Sequence, residues 1–243
     1  LIYSNTFYIE SKLKNYVNFI HTVFHFGEFS RIVRSFEKVE ENFFSNTLST
    51  FKVINFCSKN NIKFVYSASS SIFGNNRKDS NLSPYSWTKS KNIELIKNYN
   101  KWFKLDYEIV YFYNVYGENQ PRYSKMSAVI GIFEGQYLQN KSLTIRGDGK
   151  QKRDFTHISD IVRGTFLAWK KNLNLEYMIC SKKKKSIIEI AKLFNHHYKY
   201  IPGISSERLT STYSNNNAEK ILKFKAKVNI ENYIKKFLRS ARK

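Results

Sequence analysis

The stretch from Ile62 to Lys89 constrains the fold most. Ile62-Lys63-Phe64-Val65-Tyr66 is a short apolar run that reads as a buried strand. It leads through Ser67 into the hydroxyl cluster Ser69-Ser70-Ser71, then Phe73-Gly74 and a polar loop over Asn75 to Leu82. Pro84 suits the first position of a helix. From Tyr85 a helical pattern runs to about Phe103, with Ile93, Leu95, Ile96, Tyr99 and Trp102 as its expected core stripe. The alternation repeats on either side. Thr22 to Phe26 reads as a strand, Ser35 to Asn60 as a long helical stretch, and Tyr107 to Tyr113 as a further strand. This order predicts an α/β chain around a parallel sheet. Sheets of this kind place their chemistry at the C-terminal ends of the strands.

Tyr85 and Lys89 are four residues apart, which sets both on one helix face. An ammonium beside a phenol favours the phenolate, and such a group can take or give a proton. By itself the spacing is common, and its ordinary reading is a solvated helix pair. The hydroxyls at the end of the preceding strand give it a context.

Composition narrows the function classes. The net charge is +22 over 243 residues, an imbalance that invites nucleic acid. The lysines are scattered, however, and only Lys182 to Lys185 and the tail from Lys235 are dense. Salt-sensitive attraction to polyanions is expected, and specific nucleic-acid binding is not. No apolar run reaches the length of a membrane span. Cys57 and Cys180 stand far apart, and the adjacent His196 and His197 do not share a helix face. Neither a disulfide framework nor a metal site is expected, and a reducing cytoplasm is the default location. The nine glycines form no G-x-G-x-x-G.

Ser-rich strand end, F-G, then S-P-Y-x-x-x-K resembles the extended short-chain dehydrogenase/reductase family, specifically its nucleotide-sugar epimerases and dehydratases. A second block, G-D-G-x-x-x-R-D-F-x-H-x-x-D over Gly147 to Asp160, is similar to the family's pattern at the expected spacing. The resemblance implies a Rossmann-like doubly wound parallel sheet with a smaller C-terminal substrate-binding lobe. The expected division is 1–120 for the NAD-binding part and 121–243 for the substrate lobe, interleaved around 142–170. The family carries its glycine-rich phosphate loop in a first βαβ unit. The resemblance therefore implies a sheet that is N-terminally incomplete here.

It also assigns residues. Ser69, Tyr85 and Lys89 form the implied catalytic triad, with Tyr85 and Lys89 also touching the cofactor. Gly27, in His25-Phe26-Gly27, which resembles the family's His-x-Ala/Gly strand ending, is implied to let NAD approach the backbone. Asn46 is implied to support the strand end that holds the catalytic hydroxyl. Tyr113 would lie by the nicotinamide, and Asn114 would hold the substrate diphosphate. Val129 falls in the apolar helix Ser127 to Gln139, which resembles the wall of the uridine pocket. Arg153 would contact the phosphates, as a guanidinium forks onto phosphate oxygens. Arg146 stands where the family often has an aromatic ring on uracil. Arg208 would compensate for the family arginine that Ile204 replaces. His157 is expected as a packed strand histidine and Asp160 as a helix N-cap. Ser186 to Tyr198 reads as one amphipathic helix, and Asn229 to Leu238 as a surface helix.

The implied activity is NAD-dependent epimerisation at C4 of a UDP-hexose through a transient 4-keto sugar, and the implied assembly is a homodimer, with the Asn92 to Trp102 helix a candidate face. A 4,6-dehydratase is the nearest alternative. Those enzymes carry Thr-Asp-Glu where this chain has Ser69-Ser70-Ser71, so the acidic pair for water loss is absent. A reductase that releases its product, a non-catalytic remnant without the phosphate loop, and a basic nucleic-acid-binding module complete the alternatives.

Overall fold

The computed structural model describes residues 2–74, 82–203 and 209–241. The chain opens with α1 (Ile9–Leu13), flanked by 3-10 turns, and enters β1 (Thr22–His25). Next come α2 (Ile32–Glu37) and α3 (Val39–Phe43), which passes through a π-helical stretch, Phe44–Ser49, into α4 (Thr50–Lys59). β2 (Lys63–Ser69), α5 (Pro84–Phe103), β3 (Tyr107–Phe112) and β4 (Asn114–Tyr116) complete the first half. The second half runs α6 (Val129–Leu138), β5 (Leu143–Arg146), β6 (Lys152–His157), α7 (Ile158–Lys171) and β7 (Glu176–Ile179). It ends with β8 (Lys184–Ser186), α8 (Ile187–Leu193), β9 (Tyr198–Ile201), α9 (Asn217–Lys220) and α10 (Ile230–Ala241).

The main sheet has the order β1-β2-β3-β7, and each neighbouring pair is parallel. Its strands are apolar on successive residues because both faces are covered. Phe64, Tyr66, Ile109 and Tyr111 pack against Val53, Ile54, Cys57, Ile93 and Ile96 from α4 and α5. Val65, Val110, Tyr177 and Ile179 face the opposite way, onto Ile161 and Ala168 of α7 and onto Leu222 and Phe224. Helices on both faces of a parallel sheet make the α/β, Rossmann-like doubly wound arrangement. A second, smaller core gathers Tyr116, Ile130, Phe133, Leu143, Ile145, Phe155, Ile190, Phe194 and Tyr233. It lies among α6, α8, α10, the β4-β6-β8 sheet and the β5-β9 pair.

Four expectations need correction. The stretch 35–60 is not one helix, since Lys38 leaves helical geometry at φ −129°, ψ 54° between α2 and α3. Trp102 is not in the core. It is 60% exposed and lies beyond Tyr99, the last buried residue of α5. The 186–198 segment is a helix only to Leu193; Asn195 turns at φ 48° and Tyr198 begins a strand beside β5. Asp160 is not the N-cap of α7. That position belongs to His157, whose ring nitrogen accepts the Ser159 N–H, while Asp160 pairs with Arg163 and takes the N–H groups of Lys227 and Val228. No helix among the described residues is long and apolar enough to cross a membrane.

Candidate active site

Chain geometry at the end of β2 and the start of α5 builds the centre. Ser69 is the last residue of β2, and its hydroxyl accepts the Ser71 N–H at 3.2 Å. Ser83 caps α5 by accepting the Ser86 N–H at 3.1 Å, and Pro84 takes the first turn, where its missing N–H costs nothing. Tyr85 follows, its own N–H donated to the Ser35 hydroxyl at 3.2 Å. One turn on, Lys89 is buried and gives one N–H to the Ser67 carbonyl at 2.6 Å and another to the Glu28 carboxylate. An ammonium has three donors, so one remains after these two. Ser69, Tyr85 and Lys89 line one cavity of ≈ 200 Å³ together with Tyr113, Phe112 and Glu28.

Glu28 was not anticipated. It sits just beyond β1, and its carboxylate gathers donors from two helices, α4 and α5, and from strand β2. One oxygen takes the Thr50 hydroxyl at 2.9 Å, the Tyr66 hydroxyl at 3.0 Å and the Asn92 amide at 2.9 Å, and the other pairs with Lys89. Burial, and after it the Glu28 charge, raise the Tyr66 phenol well above its usual range, so it stays a donor. The available signal was an acid in an apolar context, Phe26-Gly27-Glu28-Phe29, directly after a buried strand. Neighbouring His25 bonds the Thr50 hydroxyl at 2.8 Å, and burial pushes its imidazole down to about 4.

The expected binding residues divide into groups. Tyr113 reaches the cavity wall, with its hydroxyl given to the Thr212 carbonyl at 2.7 Å. Asn114, Val129, Arg146 and Arg153 converge on a second cavity of ≈ 620 Å³ between the main sheet and the smaller lobe. A third space of ≈ 420 Å³ joins the two and is lined by Arg31, Ser69, Ser70, Ser71, Tyr85, Asn114 and Arg153. Asn114 is steadied by donating to the Asp154 carbonyl at 3.0 Å. Asp154 itself is buried under donors from Ser181, Thr156 and Tyr213, which fixes the Arg153-Asp154-Phe155 run. Asn46 is not among the residues lining these three cavities; its amide donates to the Phe29 carbonyl and the Thr88 hydroxyl. A Cβ at Gly27 would meet only a Thr6 methyl at 3.7 Å, so no atom of the chain itself demands glycine there. Arg208 lies outside the described residues.

The residues fit the nicotinamide end of a dinucleotide. The ≈ 200 Å³ cavity opens at the C-terminal ends of β1, β2 and β3, and Lys89 retains one donor suited to a ribose hydroxyl.

Residues 8–180 match the NAD dependent epimerase/dehydratase family. The chain is 32% identical over 163 residues to a putative UDP-glucose 4-epimerase of Methanocaldococcus jannaschii, covering 62% of this chain and 52% of that protein. It is 38% identical over 109 residues to a UDP-glucuronate 4-epimerase of Thermodesulfobacterium geofontis, covering 44% of this chain and 32% of the relative. The crystal structure of a UDP-glucose 4-epimerase from Thermotoga maritima superposes with a TM-score of 0.89 at 22% identity, over all of this chain and 85% of that one. The chain spans about half to two-thirds of the length of the first curated relatives it matches. With a cavity of this lining at the strand ends and a match over residues 8–180, the chain belongs to the NAD dependent epimerase/dehydratase family.

Proposed function

We propose that the chain interconverts the C4 epimers of a UDP-hexose with NAD as cofactor. The carrying observation is that Ser69, Tyr85 and Lys89 share one cavity, which opens toward a cationic second cavity with Asn114 and Arg153. In this reading Tyr85 takes the proton of the sugar 4-hydroxyl and later returns it. Ser69 donates a hydrogen bond to the reacting oxygen, and its own acceptance of the Ser71 N–H orients it. Lys89, held by Glu28 and the Ser67 carbonyl, directs its remaining N–H at the cofactor ribose. Bound NAD supplies the acceptor, and then the donor, of the C4 hydride. Asn114 and Arg153 keep the diphosphate in place while the 4-keto sugar turns over. Val129 and Arg146 flank the base. The division at about residue 120 belongs to this reading, since the smaller core is built mostly from later residues.

Two alternatives make different predictions. A 4,6-dehydratase needs an acid at the reacting carbon; among the described residues none lines the space that joins the cavities, and Glu28 in the smaller cavity is engaged by Lys89, Thr50, Tyr66 and Asn92. A non-catalytic reading, motivated by the absence of G-x-G-x-x-G, predicts UDP-hexose binding without interconversion. The test adds NAD and UDP-glucose to the purified chain and follows UDP-galactose. Turnover should fall by about 10²–10⁴-fold in Tyr85→Phe, with UDP affinity within about twofold of the parent. Equal turnover in the two proteins would sink the assignment.

The reading includes a homodimer. Ile93, Ile96 and Tyr99 of α5 are spent on the chain's own core, so the contact is placed on the exposed Phe36, Val39, Phe43 and Leu48 instead. Sedimentation should give twice the 28.8 kDa chain mass, and a Phe43→Lys change should halve it.

A further inference from the structure

Arg31 is the odd residue at this site. It is not glycine, yet its backbone sits at φ 105°, ψ 115°, immediately before α2. Holding a side-chain-bearing residue there is strained, and such strain collects where a side chain must be aimed. Arg31 is half-buried and lies on the shared wall of two cavities, the one with Tyr85 and the one with Arg146. Its Nε donates to the Met126 carbonyl at 2.9 Å, and a terminal nitrogen donates to the same oxygen. That grip fixes the guanidinium plane and uses two of its five N–H groups.

The remaining donors have no carboxylate within ion-pairing range among the described residues. Burial lowers the guanidinium's pKa, and the nearby Tyr85 phenol opposes that shift. A desolvated cation is ordinarily paired. Glu28 lies in the adjoining cavity, paired with Lys89, and Glu37 lines the second cavity. Among the described residues, the ≈ 420 Å³ space that Arg31 shares with Tyr85 has no acidic side chain in its lining, which offers serine hydroxyls and two guanidiniums. A neutral hexose uses none of that charge. A sugar acid does, since a carboxylate accepts a guanidinium bidentately.

Resting on the nucleotide-sugar reading, we propose that Arg31 is a specificity-determining residue. It takes the C6 carboxylate of a nucleoside-diphosphate hexuronate, so the preferred substrate is a sugar acid rather than a neutral hexose. The diphosphate is the other anion within the substrate, and in that reading Arg153 already serves it. Arg31 shares its wall with Tyr85, at the reacting ring.

Calorimetric titration of the full chain with UDP, UDP-glucose and UDP-glucuronate tests this without requiring turnover. The parent should bind UDP-glucuronate at least about tenfold more tightly than UDP-glucose. Arg31→Gln should erase that preference and leave UDP affinity within about twofold, and Arg31→Lys should restore part of it. Equal affinity of the parent for the two sugars overturns the proposal, whatever the variants do. It is also overturned if Arg31→Gln weakens UDP as much as UDP-glucuronate, which puts the contact on the diphosphate. Failure of the parent to bind UDP itself removes the nucleotide-sugar reading and the proposal together.

Discussion

Without the Glu28 carboxylate, the donors of Thr50, Tyr66, Lys89 and Asn92 would face a gap with no acceptor. Breaking a buried pair from one side costs about 3–5 kcal/mol, and Glu28→Ala should lose stability in that range by urea unfolding. Glu28→Gln keeps an acceptor but leaves the Lys89 charge unbalanced. The double variant Glu28→Gln/Lys89→Met should therefore be more stable than Glu28→Gln alone, and a simple sum of the two losses would refute the pairing. His25 adds a pH dependence. Its folded value of about 4 lies below the usual 6.5. Between those values the unfolded chain takes up a proton that the folded chain refuses. The contribution, up to about 3 kcal/mol, is complete above pH 6.5 and drains away as the pH falls toward 4. Urea midpoints at pH 7 and pH 4.5 should show the loss, and His25→Gln should flatten it. The triad positions were readable because Tyr85 and Lys89 are one helical turn apart and Ser69 ends a strand. Arg31 carried no sequence signal, and Glu28 only that of an acid in an apolar context. Their importance comes from Met126 and Lys89, residues 95 and 61 positions away in the chain.

Elements were readable where local chemistry marks their ends. Ser83-Pro84 begins α5, and the apolar runs that become β2 and β3 stand out because both faces of the sheet are covered. What was hidden depends on neighbours. The helical stretch after Lys38 opens into π geometry over Phe44–Ser49, and the buried amide of Asn46 there reaches out to Phe29 and Thr88. Gly131 and Gly135 lie inside α6. A Cβ on Gly131 would meet the Pro121 carbonyl oxygen at 2.2 Å, and one on Gly135 the Arg122 carbonyl oxygen at 2.7 Å. The backbone of 121–122 thus lies directly on α6, secured by Glu134, which accepts from Arg122 at 2.9 Å and Tyr233 at 2.7 Å. Gly131→Ala must push α6 away from this seat, at about 1–3 kcal/mol. Because Val129 opens α6 on the second cavity, UDP affinity should fall along with the melting temperature. An unchanged melting temperature would contradict the close approach.

At the scale of the whole molecule, one apolar surface and one charge imbalance oppose each other. Among the described residues β1 pairs only with β2, so it forms an edge of the main sheet. Phe24 and Phe26 on and beside that edge are exposed, and Phe24 approaches Trp169 of α7, which in turn lies 5.4 Å from the exposed Phe166. An edge strand flanked by aromatic surface is a template for association. The net charge of +22 resists that contact through mutual repulsion. Repulsion reaches about 30 Å at 0.01 M salt and about 8 Å at 0.15 M, whereas apolar contact is not screened. Light scattering should therefore show self-association rising as salt is added across that range, the reverse of the behaviour of an ionic contact. Phe24→Lys/Phe166→Lys should abolish the rise while leaving UDP affinity unchanged, because neither residue lines the cavities at the strand ends. Association that weakens with salt, or that survives the double substitution, would show that the β1 edge is not its seat.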